Sequence, residues 1–397
     1  METVLFILAI LQIASGVYLL WQAILWLTYV QKRLKTDPGF YAPRTAVICP
    51  CRGMEAGLER NLVSLCEFDH QNYGVFFVIA SESDPAHSVL KRVVASSRVP
   101  AQIVIAGAPE ACSEKVNNLR AAVEQLPPEF EILVFADSDG RPGKSWLHKL
   151  VAPLQDSRIG ATSTMRWFIP TNNSLATALL AAWNAPVVSM LGAHTKNFCW
   201  GGGTAIRRTI FEEIGMMDVW QYAFSDDYSL TTMIEQGRRF VVFLPECLTV
   251  SYVQTDFEGL LEFTNRQIRI TKVYRSQMWA MAFATHFLYC VTLLLGIYIA
   301  MSLTLASRPA FHIATLLVLP LLLAAIRGAI RVIGVTEALP AVKKQIMAQS
   351  WIYILLALLV PFLYLINFFS SLAGHRIKWS EISYELISAE QTRVLTR

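Results

Sequence analysis

The chain has 397 residues, of which 54% are hydrophobic and only 16% charged. That balance is too apolar for an ordinary soluble protein of this length and too mixed for a pure membrane bundle, so two or three structural parts are expected. The formal net charge of +4 is small and dispersed, which leaves no basic footprint for nucleic acid.

The N-terminus runs from Val4 to Val30 almost without charge and then reads QKRLK. The run is longer than a signal-peptide core and long enough to span a bilayer. Trp21, Trp26 and Tyr29 are expected near one interface, and Lys32, Arg33 and Lys35 on the cytosolic side. Residues 36–278 then alternate strand-like and helix-like stretches. RTAVICPCRG, YGVFFVIASES, AQIVIAG and FEILVFADSDG are apolar runs ending in turn residues; LERNLVSLCEF, DPAHSVLKRVVASS and KVNNLRAAVEQL are helical in pattern. Such βαβ alternation predicts a mostly parallel sheet with helices on both faces and a ligand at the strands' carboxyl ends. SLATALLAAWNAPVVSML (Ser174–Leu191) is too short for a span; it is either an amphipathic helix at the bilayer surface or an ordinary core helix. Three further apolar runs follow, Trp279–Leu305, Phe311–Val335 and Trp351–Leu372, the second shortened by Arg327 and Arg331. The expected parts are therefore 1–35 as a membrane helix, 36–278 as a cytosolic domain with interface helices, 279–375 as membrane helices and 376–397 as a tail. Strict alternation puts the tail outside, whereas the basic, aromatic HRIKWSEISYEL suits a cytosolic face; a re-entrant or interfacial run would reconcile the two. Seven cysteines without CxxC spacing indicate neither a zinc site nor a disulfide framework, and fit reduced thiols in the cytosol.

Four stretches carry candidate chemistry. VFADSDG closes the fourth strand with Asp137 and Asp139; two carboxylates in one turn suit a hard divalent ion, Mg²⁺ or Mn²⁺, bridging to a diphosphate, or else make a solvated turn. SDDYSL supplies Asp226 and Asp227 at a helix start, as a cap or as a general base. NFCWGGGTAIRR has three glycines that permit close backbone approach, with Thr204 leading into a helix. NRQIRITKVYR is an amphipathic basic stretch directly before a membrane run, either a positive membrane flank or a diphosphate grip. His194, upstream of the glycines, is an acceptor-orienting candidate or a surface histidine.

In this order the motifs CPCRG, VIASESDPA, SEKVNNL, FADSDG, CWGGGTAIRR, FSDDYSL and RQIRI resemble those of membrane-bound family 2 glycosyltransferases. The closest resemblance is to the ceramide glucosyltransferase branch and related bacterial lipid glycosyltransferases, and it includes the ending IKWSEISYEL. The resemblance implies a Rossmann-like nucleotide-diphospho-sugar transferase domain, mixed but mostly parallel, plus transmembrane helices. It places Pro50, Arg52 and Gly53 beside the uridine, Glu82 or Asp84 at the uracil, and Lys115 and Asn118 near the nucleotide. Asp137 and Asp139 become the metal-binding pair, with Asp139 the direct ligand. Gly202 and Gly203 border the sugar and acceptor, Asp227 is the base beside Asp226, and Arg266 and Arg269 stand in the (Q/R)-x-x-R-W element. Ile270 replaces that element's tryptophan, which leans away from a processive polysaccharide synthase. The implied activity is inverting transfer of one sugar, glucose first, from a UDP-sugar to a membrane lipid hydroxyl. Ceramide is the leading acceptor, with hopanoid and diacylglycerol types as alternatives. The implied setting is an inner, plasma or Golgi-type membrane with catalysis facing the cytosol. A scaffold or transporter with a degenerate nucleotide-binding domain is the non-enzymatic alternative.

Overall fold

A computed structural model describes residues 1–55 and 57–396. It divides into two compact units that interleave along the chain. One comprises residues 32–169, 190–252 and 375–397; the other comprises 1–31, 170–189 and 253–374. Residues 170–189 and 253–278 group with the helices, and the tail groups with the sheet.

The first unit is built on β1 (Thr45–Pro50), β2 (Tyr73–Ile79), β3 (Ala101–Ile105), β4 (Ile132–Ala136), β5 (Ile159–Ser163), β6 (Arg166–Pro170), β7 (Gly203–Arg207), β8 (Phe240–Phe243) and β9 (Thr249–Val253). Seven of these form one sheet in the order β3-β2-β1-β4-β7-β5-β8, and β6 pairs with β9. The pairs β1–β2, β1–β4, β2–β3 and β5–β8 are parallel; β7 alone runs against both its neighbours. All four sequence-predicted strands are present as β1 to β4, and the sheet is mixed but mostly parallel. Side chains of β1 alternate between two apolar layers. Val47 and Cys49 pack with Leu62, Leu90 and Leu147, whereas Ala46 and Ile48 pack with Leu119, Phe211 and Trp220. Burial on both faces is why these strands read as unbroken apolar runs rather than alternating ones. Thr204 does not lead into a helix, as its glycine neighbours suggested; it lies inside β7, and the helix starts at Arg208. The pairing of Ala136 with Gly203 explains this, because Gly201 and Gly202 turn the chain and Gly203 then runs extended beside the end of β4.

The tail forms a small antiparallel sheet, β10 (Arg376–Trp379), β11 (Ile382–Ser388) and β12 (Gln391–Thr396). All seven cysteines are free and buried.

The second unit holds three helices long and apolar enough to cross a membrane: Glu2–Leu34, Ser276–Leu305 and Phe311–Ala338. The last apolar run is not a straight helix. It is a pair, Ser350–Leu358 and Val360–Leu372, bent by 63°. Trp26 is buried, and its ring fills the space a Cβ on Gly334 would need. The helix Leu175–Asn184 buries eight of its ten residues, Asn184 and Trp183 among them, so its body is a core element of this unit.

Candidate active site

The turn after β4 is fixed from several sides. Asn61 Nδ2 donates to the Ser138 carbonyl at 3.1 Å, and Arg141 donates twice to Asn61 Oδ1, at 3.2 and 3.0 Å. The Arg141 backbone bridges to Val250. A turn held this firmly can present two carboxylates in one direction. Three elements then meet it: the helix Glu114–Gln125, the helix Asp226–Gln236 and the loop before β7.

Lys115 Nζ bridges two of them, lying 2.7 Å from Asp137 Oδ1 and 3.3 Å from Asp226 Oδ2. Arg166 of β6 reaches Asp139 Oδ2 at 2.6 Å and Asp137 Oδ2 at 4.0 Å. Its guanidinium also stacks over the rings of Phe168 and Trp200, at 4.8 and 5.8 Å. Asp137, Asp139 and Asp226 therefore form one alternating cluster with two cations. The glycine run has a steric role that the sequence did not disclose. A Cβ on Gly201 would collide with Asp226 Oδ2 and lie 2.6 Å from Lys115 Nζ. One on Gly202 would lie 2.5 Å from Asp137 Oδ2 and strike the Trp200 ring. The run is stitched in place by Cys199 N donating to Thr231 Oγ1 and Trp200 N donating to Ser163 Oγ.

The electrostatics follow from crowding. Burial raises the Asp137 carboxyl, but Lys115 and Arg166 outweigh that and hold it below its ordinary range. Asp139 is raised by burial in spite of Arg166, with Asp137 adding to the rise. Burial lifts Asp226 to about 6 against the Lys115 charge, and Asp227 and Asp137 add to the lift. Burial works to lower Lys115, yet Asp137, Asp226 and Asp227 raise it overall, so it stays charged. Glu55, on the loop after β1, keeps much of its side chain exposed; loss of water around its carboxyl, then Asp139 and Asp137, raise it to about 7.

Asp227 sits differently from its neighbour. Its Oδ1 accepts from Ser225 Oγ, the N-cap hydroxyl, and, at 2.8 Å, from Tyr228 N, and the residue is partly exposed where Asp226 is buried. At the end of β1, Arg52 Nη1 donates to Glu114 Oε2 at 2.6 Å, and Gly53 N donates to Asp84 Oδ1 at 2.9 Å. Asp84 also accepts from Ala86 N at 2.8 Å, so its carboxylate ties two loops, while Glu82 is exposed. Asn118, one turn beyond Lys115, is buried, and its Oδ1 has no hydrogen-bond partner among the described residues. Pro50 ends β1, and Gly203 opens β7 opposite Ala136. His194 is exposed, its Nε2 faces the Met190 carbonyl at 3.1 Å, and no described contact joins it to the carboxylates. Arg266 and Arg269 belong to the helical unit. There Arg266 lies over the Phe263 ring at 5.5 Å and Arg269 Nη2 donates to Ser370 Oγ at 3.1 Å.

Sequence reading assigned no role to Arg166, Trp200 or Glu114, and it marked Tyr384 only as part of the ending IKWSEISYEL. The one visible signal for Arg166 was a charge set inside the apolar run MRWFI. Tyr384 of β11 accepts a 3.2 Å hydrogen bond from Glu114 N, and its ring meets Phe224 edge-on at 5.2 Å.

The oxygen set of the turn suits a hard divalent ion. Asp139 Oδ1 is enclosed and has no hydrogen-bond partner among the described residues. No group of three or more His, Cys, Asp or Glu side chains among those residues is arranged to hold an ion by itself. Two carboxylates with remaining positions for substrate oxygens is the usual manner in which Mg²⁺ is held.

A family model described as Glycosyl transferase family 21 matches residues 4–392. A crystal structure of GalNAc-T7 with UDP, GalNAc and Mn²⁺ is similar at a TM-score of 0.40 and 12% identity, over 59% of this chain and 49% of that one. The chain thus spans about half the length of that protein. The crystal structure of 4-diphosphocytidyl-2C-methyl-D-erythritol synthase from Anaerococcus prevotii DSM 20548 is similar at a TM-score of 0.37 and 12% identity, over 55% of this chain and 93% of that one. Likeness at this level bears on no individual residue of the site.

Proposed function

The chain belongs to glycosyl transferase family 21, and on that premise we propose that it moves a single sugar from a UDP-sugar onto the hydroxyl of a membrane lipid, with inversion at the anomeric carbon. Glucose and ceramide lead as sugar and acceptor on the resemblance of the motifs; hopanoid and diacylglycerol acceptors share the same hydroxyl chemistry. One observation carries the reading: Asp137, Asp139 and Asp226 gather with Lys115 and Arg166 around the glycine run at the carboxyl end of β4.

Asp139, with Asp137, would hold a Mg²⁺ or Mn²⁺ ion; such an ion supplies positive charge to the diphosphate oxygens. The chain's own groups do the rest. Lys115 and Arg166 are fixed cations beside the place where the diphosphate gains charge, and an Arg fork matches phosphate oxygens. Asp227, partly exposed at its helix start, accepts the proton of the acceptor hydroxyl. That oxygen bonds to the anomeric carbon from one side as the bond to the diphosphate breaks on the other, the electron pair leaving with UDP. Asp226 stays paired with Lys115 and holds that ammonium against Asp137. The place of Arg266 and Arg269 on the diphosphate rests on the motif pattern alone.

The test is incubation of purified full-length chain with a panel of labelled UDP-sugars, Mg²⁺ or Mn²⁺ and a lipid extract. Label in the organic phase is expected, and it should vanish in Asp227→Asn. Label held in a long polymer, or no cation-dependent UDP release from any donor, would overturn the reading.

A further inference from the structure

Two guanidiniums in the helical unit serve neither the transferase cluster nor any ion pair. Arg327 and Arg331 lie four residues apart, on one face of the helix Phe311–Ala338. Both are half-buried. At about 1.5 Å per residue they lie roughly 16 and 10 Å from the end of that helix at Ala338, within the stretch long and apolar enough to lie in a bilayer. Arg331 Nε donates to Ser189 Oγ at 3.2 Å. Arg327 Nε is fully enclosed and has no hydrogen-bond partner among the described residues, and no described carboxylate pairs with either arginine.

The groups around them offer no compensating charge. Tyr289 and His286 of the preceding span face Arg327, and Tyr364 faces Arg331. Tyr289 Oη donates to the Leu358 carbonyl at the bend of the broken pair, and Tyr364 Oη donates to the Trp183 carbonyl. His286 Nδ1 lies 2.6 Å from the Ala282 carbonyl. Among the unit's acids, Glu337 accepts from Gln31 and Asp256 caps its own helix. A guanidinium without a counter-charge is costly in an apolar medium, and two facing the same way add repulsion. An anion would supply the missing charge, and a lipid phosphate is an anion that apolar surroundings bring within reach of both guanidiniums.

We propose that Arg327 and Arg331 form a binding site for the phosphate diester of an anionic phospholipid, seated against the short segment Ala185–Met190 that carries Ser189. Two guanidinium forks suit the phosphate oxygens, and basic pockets between spans are a known setting for anionic headgroups. The site goes beyond the transferase reading and does not depend on it.

The test uses the wild-type chain in nanodiscs of phosphatidylcholine alone or mixed with phosphatidylglycerol. Arginine modification by phenylglyoxal is read by peptide mass spectrometry. Arg327 and Arg331 should be protected several-fold by phosphatidylglycerol, while exposed Arg308 reacts equally in both discs. Equal modification of Arg327 and Arg331 in the two discs would overturn the site. In a second arm, native mass spectrometry of detergent-purified protein should show retained phosphatidylglycerol falling about tenfold in Arg327→Gln and Arg331→Gln, but not in Arg308→Gln. Retention unchanged in both variants counts against the site. The wild-type arm stands even where a variant fails to fold.

Discussion

Asp226 is the residue whose charge state is most finely set, because burial and two neighbouring carboxylates oppose one lysine. Its folded value of about 6 is above that of an unfolded aspartate, so its contribution to stability is present below about pH 4 and is lost as pH rises through about 6. Asp226→Asn, which does not titrate, should therefore gain stability relative to the wild type between pH 4 and pH 7, by on the order of 2 kcal/mol. Denaturant melts at the two pH values read this directly; a difference independent of pH would show that Asp226 is not the titrating group. The same protonation loosens Lys115, so sugar transfer should fall as pH drops through about 6, and in Asp226→Asn that acid limb should be lost. Gly202 gives a second test at this scale. Gly202→Ala places a methyl 2.5 Å from Asp137 Oδ2, so the turn or the Trp200 ring must move. Displacement of about 1 Å at a catalytic group costs on the order of 100-fold in rate. The expected outcome is that loss in kcat with a melting midpoint only a few degrees lower.

The elements that carry these residues are not held only by the main sheet. Ser113 caps the helix of Lys115, and Ser113 N also donates to the Ala223 carbonyl, just before the Ser225–Asp227 segment. The tail then closes on both. Tyr384 accepts from Glu114 N at the first turn of that helix, and Trp379 and Tyr384 pack on Phe224. The tail is thus a strap joining the helix of Lys115 to the segment that leads into Asp226. Tyr384→Phe removes one acceptor and leaves a helix-start N–H without it, at a cost of about 1 kcal/mol. KM for the sugar donor should rise several-fold while the fold persists by circular dichroism; unchanged kinetics would leave Tyr384 with a packing role alone. The isolated motif spacing gave no hint of this strap, because the contact of Tyr384 with Glu114 joins residues 270 positions apart.

For the molecule as a whole, the interleaving of the units constrains how the chain threads a bilayer. Residues 32–169 and 375–397 belong to one compact body, so they are expected to lie on one side of a membrane. The number of crossings between them is then even. If Ser276–Leu305 and Phe311–Ala338 supply two, the bent pair Ser350–Leu358 and Val360–Leu372 is expected to enter and leave on the same face. Epitope tags near Gly39 and at the C-terminus should report the same side, and a tag at Ser307, in the turn between the two long spans, the opposite one. A C-terminal tag sharing the side of Ser307 would mean that the bent pair crosses.

The sequence by itself determined the elements that local chemistry dictates. Apolar runs closed by turn residues became β1 to β4, uninterrupted apolar stretches became three long helices, and the ordered motifs pointed to a glycosyltransferase. Asp137, Asp139 and Asp226 were legible because carboxylates are conspicuous at the ends of apolar strands and at a helix start. Tertiary structure alone decided that Lys115 spans two of them, that Arg166 from β6 supplies the second cation, and that Gly201 and Gly202 clear space for these side chains. It also decided that the tail belongs with the sheet. Such facts depend on contacts between residues far apart in the chain. Their free energy arises only when charges that are costly to bury alone are brought together, and no local pattern of hydrophobic period or turn residue records which partner will meet which.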